Sequence, residues 1–317
     1  MPVGERTSAG LYKEPGELGY PPLCNIISPT AFAACLWRAG IIMDEISYLV
    51  FLGVLGVTFL AAAAYVVFFV SQKKRVRKVA RMILMVSGVL QTLYLASRFI
   101  LAGHTPITSM HETVVFFAWS TTWAYLSFRW RYTVKNFGTF VSVLIFGLLL
   151  LSTFSSREIV QLVPALQSLW LPVHAGVSII AYGFFSLAFC GGLMYLLQEN
   201  ELKSKRFGYF FSRLPSLDAL DQLNNHCLTI GFAFFTLGIV TGSIWARQAW
   251  GTYWQWDPKE TWSLITWFLY LVQVHQRFTV GWRGKRAAGM AIIGFAAVTF
   301  SLWGVSYLLG GVHSYAG

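Results

Sequence analysis

The chain has 317 residues, of which 56% are hydrophobic and only 12% charged. A water-soluble protein of this size carries roughly a quarter charged residues, so the deficit excludes a fully hydrated surface. Lysine and arginine outnumber the acids 24 to 13, a formal charge of +11, and only the placement of that excess says what it is for.

Eight stretches approach the roughly 20 helical residues that cross a hydrocarbon core. They lie near 46–70, 80–101, 113–128, 137–154, 174–197, 227–246, 258–276 and 287–309, and the third is the shortest. Seventeen of the 24 cations fall in four segments, Lys73 to Arg81, Arg129 to Lys135, Lys203 to Arg213 and Arg277 to Arg286. These follow spans one, three, five and seven, as cytoplasmic connections do under the positive-inside rule. The charge is therefore assigned to topology and anionic-lipid contact rather than to nucleic acid. The expected fold is an all-α polytopic bundle of about eight transmembrane helices with both termini on the outer face.

Residues 1–45 read as a separate N-terminal tail, with prolines at 2, 15, 21, 22 and 29. They lack the basic start and apolar centre of a secretory signal, and either a mis-annotated start before Met43 or a disordered outer tail fits them. Residues 46–317 form the membrane domain. Cys24, Cys35, Cys190 and Cys227 make no CxxC pair, which excludes an obvious thiol oxidoreductase.

The segment 247–262 is the most informative. Residues 250–262 read WGTYWQWDPKETW, and five of the 13 tryptophans lie between Trp250 and Trp267. Asp257, Pro258 and Glu260 have the order of a helix N-cap, first position and third position. Tryptophans also favour membrane interfaces, but usually one or two at each helix end. Here Trp250, Tyr253, Trp254 and Trp256 crowd one loop. A helical turn across Trp250 and Trp254 would place both rings on one face, an aromatic wall suited to a broad planar ligand.

The run WGTYWQWDPKETWSL resembles the tryptophan-rich WWD signature of haem-handling membrane proteins. Its DPKETWSL continuation is similar to the CcsA (ResC) branch of the system II cytochrome c synthases, and the likeness extends over residues 46–317. That resemblance implies a holocytochrome c synthase (haem lyase) subunit. It would bind haem b as substrate and present it at the outer face for thioether attachment to the CxxCH motif of apocytochrome c. It implies a CcsB/ResB partner and thiol-reducing proteins of the CcdA and thioredoxin-like types. The membrane would be a bacterial plasma membrane or a thylakoid, with the attachment site periplasmic or lumenal. The alternative is a non-catalytic haem carrier of the CcmC type that passes haem to a separate acceptor.

Topology sorts the six histidines. His174, in LPVHAG, and His313, in GVHSYAG, fall at outer membrane edges, where two imidazoles can fill both axial positions of one iron. By resemblance they are the outer haem ligands, with Trp250, Tyr253, Trp254, Trp256 and Asp257 lining the site. His275 lies some 27 Å along the seventh helix from Asp257, at about 1.5 Å per residue. An ionisable group at that depth is a functional candidate, although it can also mark a helix end before Arg277. By resemblance it ligates haem within the membrane, with the opposing ligand from the partner. His226 reads as a polar cap. His104 and His111 read as solvated histidines of the 102–112 loop. Arg98 is directed either at a haem propionate or outward to the headgroups.

Overall fold

The computed structural model describes residues 29–132, 134–158, 168–205 and 208–309. It divides into residues 1–46 and residues 47–317. All eight expected helices are present: α1 (Pro29–Ser71), α2 (Lys74–Ala102), α3 (Met110–Arg131), α4 (Phe137–Ser152), α5 (Trp170–Lys203), α6 (Leu217–Trp250), α7 (Pro258–His275) and α8 (Lys285–Thr299). α7 runs on as a π-helical turn, Gln276–Val280, and α8 as a π-helical segment, Phe300–Leu309. No strand occurs among the described residues. The protein is an all-α integral membrane bundle.

Local chemistry sets the helix ends. Ser109 accepts from the Glu112 N–H at the start of α3, and Ser216 from the Ala219 N–H at the start of α6. Each satisfies one of the donors that a first turn leaves unpaired. Gly103 and Gly251 close α2 and α6 in the left-handed region, with φ of 70° and 83°, where a residue without Cβ carries no steric penalty.

Five helices, or parts of them, are long and apolar enough to cross a membrane: Glu45–Ser71, Lys74–Ala102, Trp170–Lys203, Leu217–Trp250 and Lys285–Leu309. α4 is apolar but shorter, at 16 residues. α3 is less apolar because little of it meets lipid: Thr113, Val114, Val115, Phe117, Ser120, Thr121 and Thr122 are all buried. A helix shielded by its neighbours does not need an apolar circumference. Its hydroxyls are paired instead. Thr58 and Ser87 share a 2.6 Å hydrogen bond, Gln91 Nε2 donates to Ser87, and Thr122 donates to Gln91 Oε1, joining α1, α2 and α3. Outward positions such as Phe59, Leu60, Leu93 and Leu237 are large, apolar and exposed. Hydrocarbon solvates them without cost, so side-chain hydrogen bonds and close packing hold the interior.

α5 is central and packs on α3, α4, α6 and α8. Close approach depends on small residues. A Cβ on Gly192 would lie 2.8 Å from the Ala288 carbonyl oxygen of α8.

Polar contacts define the two ends of the bundle. At one, Arg213 donates to the Phe69 and Val70 carbonyls at the close of α1, while Asn136 and Lys135 donate to the Arg213 and Ser212 carbonyls. Arg277 pairs with Asp221 at 2.7 Å, and the Gly284 N–H donates to the same carboxylate. The connections after α1, α3, α5 and α7 therefore gather at this basic end. At the other end Arg98 reaches the Arg157 carbonyl, His111 the Ser152 carbonyl, and Ser168 donates to Gln248. The connections after α2 and α4 and the end of α6 meet there.

Candidate tryptophan-rich site

His174 sits in the second turn of α5, against α6. Its Nδ1 lies 2.8 Å from the Gly238 carbonyl oxygen. A carbonyl can only accept, so Nδ1 carries the proton and Nε2 presents its lone pair. No hydrogen bond to Nε2 forms among the described residues. Such backbone anchoring of one ring nitrogen is how proteins orient an imidazole for metal ligation by the other.

α6 supplies the space. Gly238 and Gly242 are one turn apart, and a Cβ on Gly242 would lie 2.7 Å from both Cε1 and Nδ1 of His174. One turn further along the same face, Trp245 stacks on the imidazole, with centroids 6.0 Å apart and planes 11° from parallel. Trp250 packs edge-on against Trp245 at 4.8 Å. Trp245, Gly238 and Gly242 were not among the residues expected from sequence. Their spacing of four and three on one helix was the available signal, and only the packing of α5 on α6 gives it meaning.

The expected helical turn across Trp250 and Trp254 is absent. α6 ends at Trp250 because Gly251 enters the left-handed region and returns its N–H to the Arg247 carbonyl. Trp254 therefore packs not on Trp250 but edge-on against Trp256, at 5.9 Å and 83°. The aromatic wall is thus two T-shaped pairs rather than one flat shelf, an arrangement that the ring quadrupole favours. The Arg247 guanidinium lies 5.7 Å from the Tyr253 ring. Tyr253 and Trp256 are exposed, at 60% and 69%. Trp254 Nε1 is buried and meets no acceptor among the described residues.

Asp257 caps α7 as expected. Its carboxylate accepts from the Lys259 N–H at 3.1 Å, Pro258 opens the helix, and Glu260 completes the capping box. His275, at the basic end, is exposed on the outward side of α7, with Thr279 Oγ1 3.4 Å from Nδ1. The structure thus keeps His174 and the tryptophan loop together and sets His275 at the opposite end of its helix. His313 lies outside the described residues.

Three readings of the outer connections need correction. His111 is not a solvated loop histidine: it belongs to the first turn of α3 and is fully buried. Its Nε2 meets the Tyr94 hydroxyl and its Nδ1 the Ser152 carbonyl, both at 2.9 Å. The third span is longer than its hydropathy suggested, because its first turn is polar but satisfied. Arg98 reaches neither headgroups nor an open site. It pairs with Glu112 at 2.8 Å, and both side chains are buried. His104 is half-buried, with Nδ1 3.1 Å from the Thr105 carbonyl oxygen. His226 is not a cap: α6 begins at Leu217 behind Ser216, and His226 lies inside the helix, with Nδ1 2.8 Å from the Gln222 carbonyl oxygen one turn earlier.

These features define a class: a polytopic helical membrane protein with an oriented imidazole and a tryptophan-rich loop at one end. A family model described as cytochrome c assembly protein matches residues 107–313. The chain is 35% identical over 246 residues to the cytochrome c biogenesis protein CcsA of Chlamydomonas reinhardtii, covering 75% of this chain and 68% of that one. It is 31% identical over 289 residues to the CcsA protein of a Synechococcus strain, covering 83% and 95%. Among solved structures, the cytochrome c haem lyase CcmF superposes with a TM-score of 0.59 at 16% identity. That match takes in 82% of this chain and 46% of the lyase, and it is a likeness of fold. The chain belongs to the cytochrome c assembly protein family.

Proposed function

We propose that this protein works in cytochrome c biogenesis by holding haem at its tryptophan-rich end for covalent attachment to apocytochrome c. The observation that carries the reading is His174: Nδ1–H is committed to Gly238, and Nε2 faces away with its lone pair available. The N–H of Trp254, buried with no acceptor among the described residues, adds a donor suited to a carboxylate such as a haem propionate. His174 and His313 are the proposed axial ligands, with Trp250, Tyr253, Trp254, Trp256 and Asp257 around the ring.

The chemistry asks little acid–base work of the chain. Each CxxCH thiol adds its S–H across a haem vinyl double bond, giving a thioether without oxidant or leaving group. Holding the vinyls against the thiols is a proximity effect, and the reactive groups belong to haem and to the substrate cysteines. Exchangeable histidine ligands suit release, because the CxxCH histidine can replace one of them.

His275 supports a route from the basic end. It is exposed on the outward side of α7, so a second ligand there comes from a neighbouring chain. A CcsB/ResB-like membrane protein is the proposed neighbour, and thiol-reducing proteins of the CcdA and thioredoxin-like types keep the substrate cysteines reduced. The tryptophan-rich end faces the periplasm or thylakoid lumen, and the basic end the cytoplasm or stroma.

The test is the absorption spectrum of the purified chain and of its His174→Ala and His313→Ala variants. Low-spin, six-coordinate iron is expected in the parent and its loss in each variant. An unchanged spectrum in either variant removes that histidine as a ligand. Co-expression with a CcsB-like partner and an apocytochrome separates a synthase from a carrier: covalent cytochrome is the expected product.

A further inference from the structure

Trp256 is one of four non-glycine residues with positive φ among the described residues, at 59°. A bulky aromatic in the left-handed region is sterically costly and persists only where its surroundings impose it. The surroundings are specific. One oxygen of Glu260, Oε2, accepts from the Gln255 N–H at 2.8 Å and from the Asp257 N–H at 3.3 Å, the backbone donors on either side of Trp256. Thr261 Oγ1 donates to the Trp256 carbonyl at 3.4 Å. Helix capping explains the Asp257 contact, because a glutamate at the third helical position normally reaches back to the cap N–H. It does not explain the shorter bond to Gln255, two residues outside the cap.

We propose that Glu260 is a positioning residue. By closing on the N–H groups before and after Trp256, it imposes the left-handed turn that projects the Trp256 indole outward and sets the Trp254 ring edge-on against it. The clamp fixes the aromatic wall before ligand arrives, which reduces the ordering cost of binding. Its consequence for haem rests on the function proposed above, while the clamp itself does not.

Two measurements separate these. Limited chymotrypsin digestion of the haem-free chain in detergent reads the clamp, because Tyr253, Trp254 and Trp256 are cleavage sites within the loop. Two hydrogen bonds to a charged acceptor set the scale, and Glu260→Ala is expected to raise cleavage there about tenfold. Glu260→Gln retains a carbonyl oxygen in the same place and is expected to restore near-parental cleavage. Haem content and absorption spectrum of the same proteins read the consequence: loss in Glu260→Ala and retention in Glu260→Gln. Unchanged cleavage in Glu260→Ala overturns the clamp. Cleavage raised equally in both variants also overturns it, since charge at the helix start would then be the cause. Raised cleavage with unaltered haem content and spectrum overturns the positioning role. A parent chain that binds no haem overturns the proposed function instead, and the cleavage result still decides the clamp.

Discussion

Gly242 of α6 faces the His174 imidazole so closely that a Cβ there would lie 2.7 Å from two ring atoms, Cε1 and Nδ1. The ring cannot retreat freely, because its Nδ1 is held by Gly238 and Trp245 lies parallel to it. Gly242→Ala should therefore rotate or expel the imidazole, at an overpacking cost of about 1–3 kcal/mol. The expected result is a normally inserted protein whose haem spectrum resembles that of His174→Ala. Gly176→Ala is the control, since nothing lies within 4 Å of a Cβ there. A Gly242→Ala variant with the parental spectrum would show that His174 does not need this seat.

The Arg98–Glu112 pair binds the outer connections together. Arg98 Nη2 also reaches the Arg157 carbonyl, and Glu112 Oε2 accepts from the N–H and hydroxyl of Thr108. With both side chains buried, removing one partner strands a charge. Arg98→Ala should cost about 3–5 kcal/mol, measured by unfolding in detergent. Replacing both, as Arg98→Met with Glu112→Leu, should recover most of that loss, because apolar side chains leave no charge to solvate. A double variant no better than the single would mean that the contacts to Thr108 and Arg157 carry the stability.

The helices were legible in the sequence because lipid demands uninterrupted apolar runs, and cations mark where those runs stop. α3 shows where that signal weakens: its buried Thr121 and Thr122 lower the hydropathy, yet their hydroxyls return to backbone carbonyls one turn earlier. The cap at Asp257 was legible because capping is local. His111 and Arg98 were misread for the opposite reason. Their partners Ser152 and Arg157 lie 41 and 59 residues away from His111 and Arg98, and no local pattern announces such pairings. The stacking of Trp245 on His174 likewise depends on how α5 and α6 pack. The course of the loop from Trp250 to Trp254 turned on Gly251, whose left-handed conformation ends the helix at Trp250.

Trp254 offers a test in which stability and binding move in opposite directions. Its Nε1–H is buried and meets no acceptor among the described residues, and an unpaired buried donor costs about 1–3 kcal/mol. Trp254→Phe keeps an aromatic ring and removes that donor. The haem-free chain is expected to be as stable as the parent or more so, while haem retention falls because the proposed carboxylate contact is gone. Equal haem retention in both proteins would release Trp254 from that role.

His275 has the environment of a surface residue rather than of a structural one. It is exposed on α7, and among the described residues its one side-chain hydrogen bond, with Thr279, is 3.4 Å long. The neighbouring Arg277 and Gln273 turn inward instead, to Asp221 and to the Ala287 carbonyl. Substitution at His275 should thus leave folding nearly untouched, within about 0.5 kcal/mol as for surface changes away from special features. His275→Ala is expected to insert normally and melt with the parent, yet to co-purify with less haem. The deficit should be largest when a CcsB-like partner is co-expressed, because the partner supplies the opposing ligand in the proposed arrangement. Thr279→Ala, which removes that hydrogen bond and keeps the imidazole, should retain parental haem. If haem content were unaffected by His275→Ala with the partner present, haem would not pass this imidazole on its way to the tryptophan-rich end.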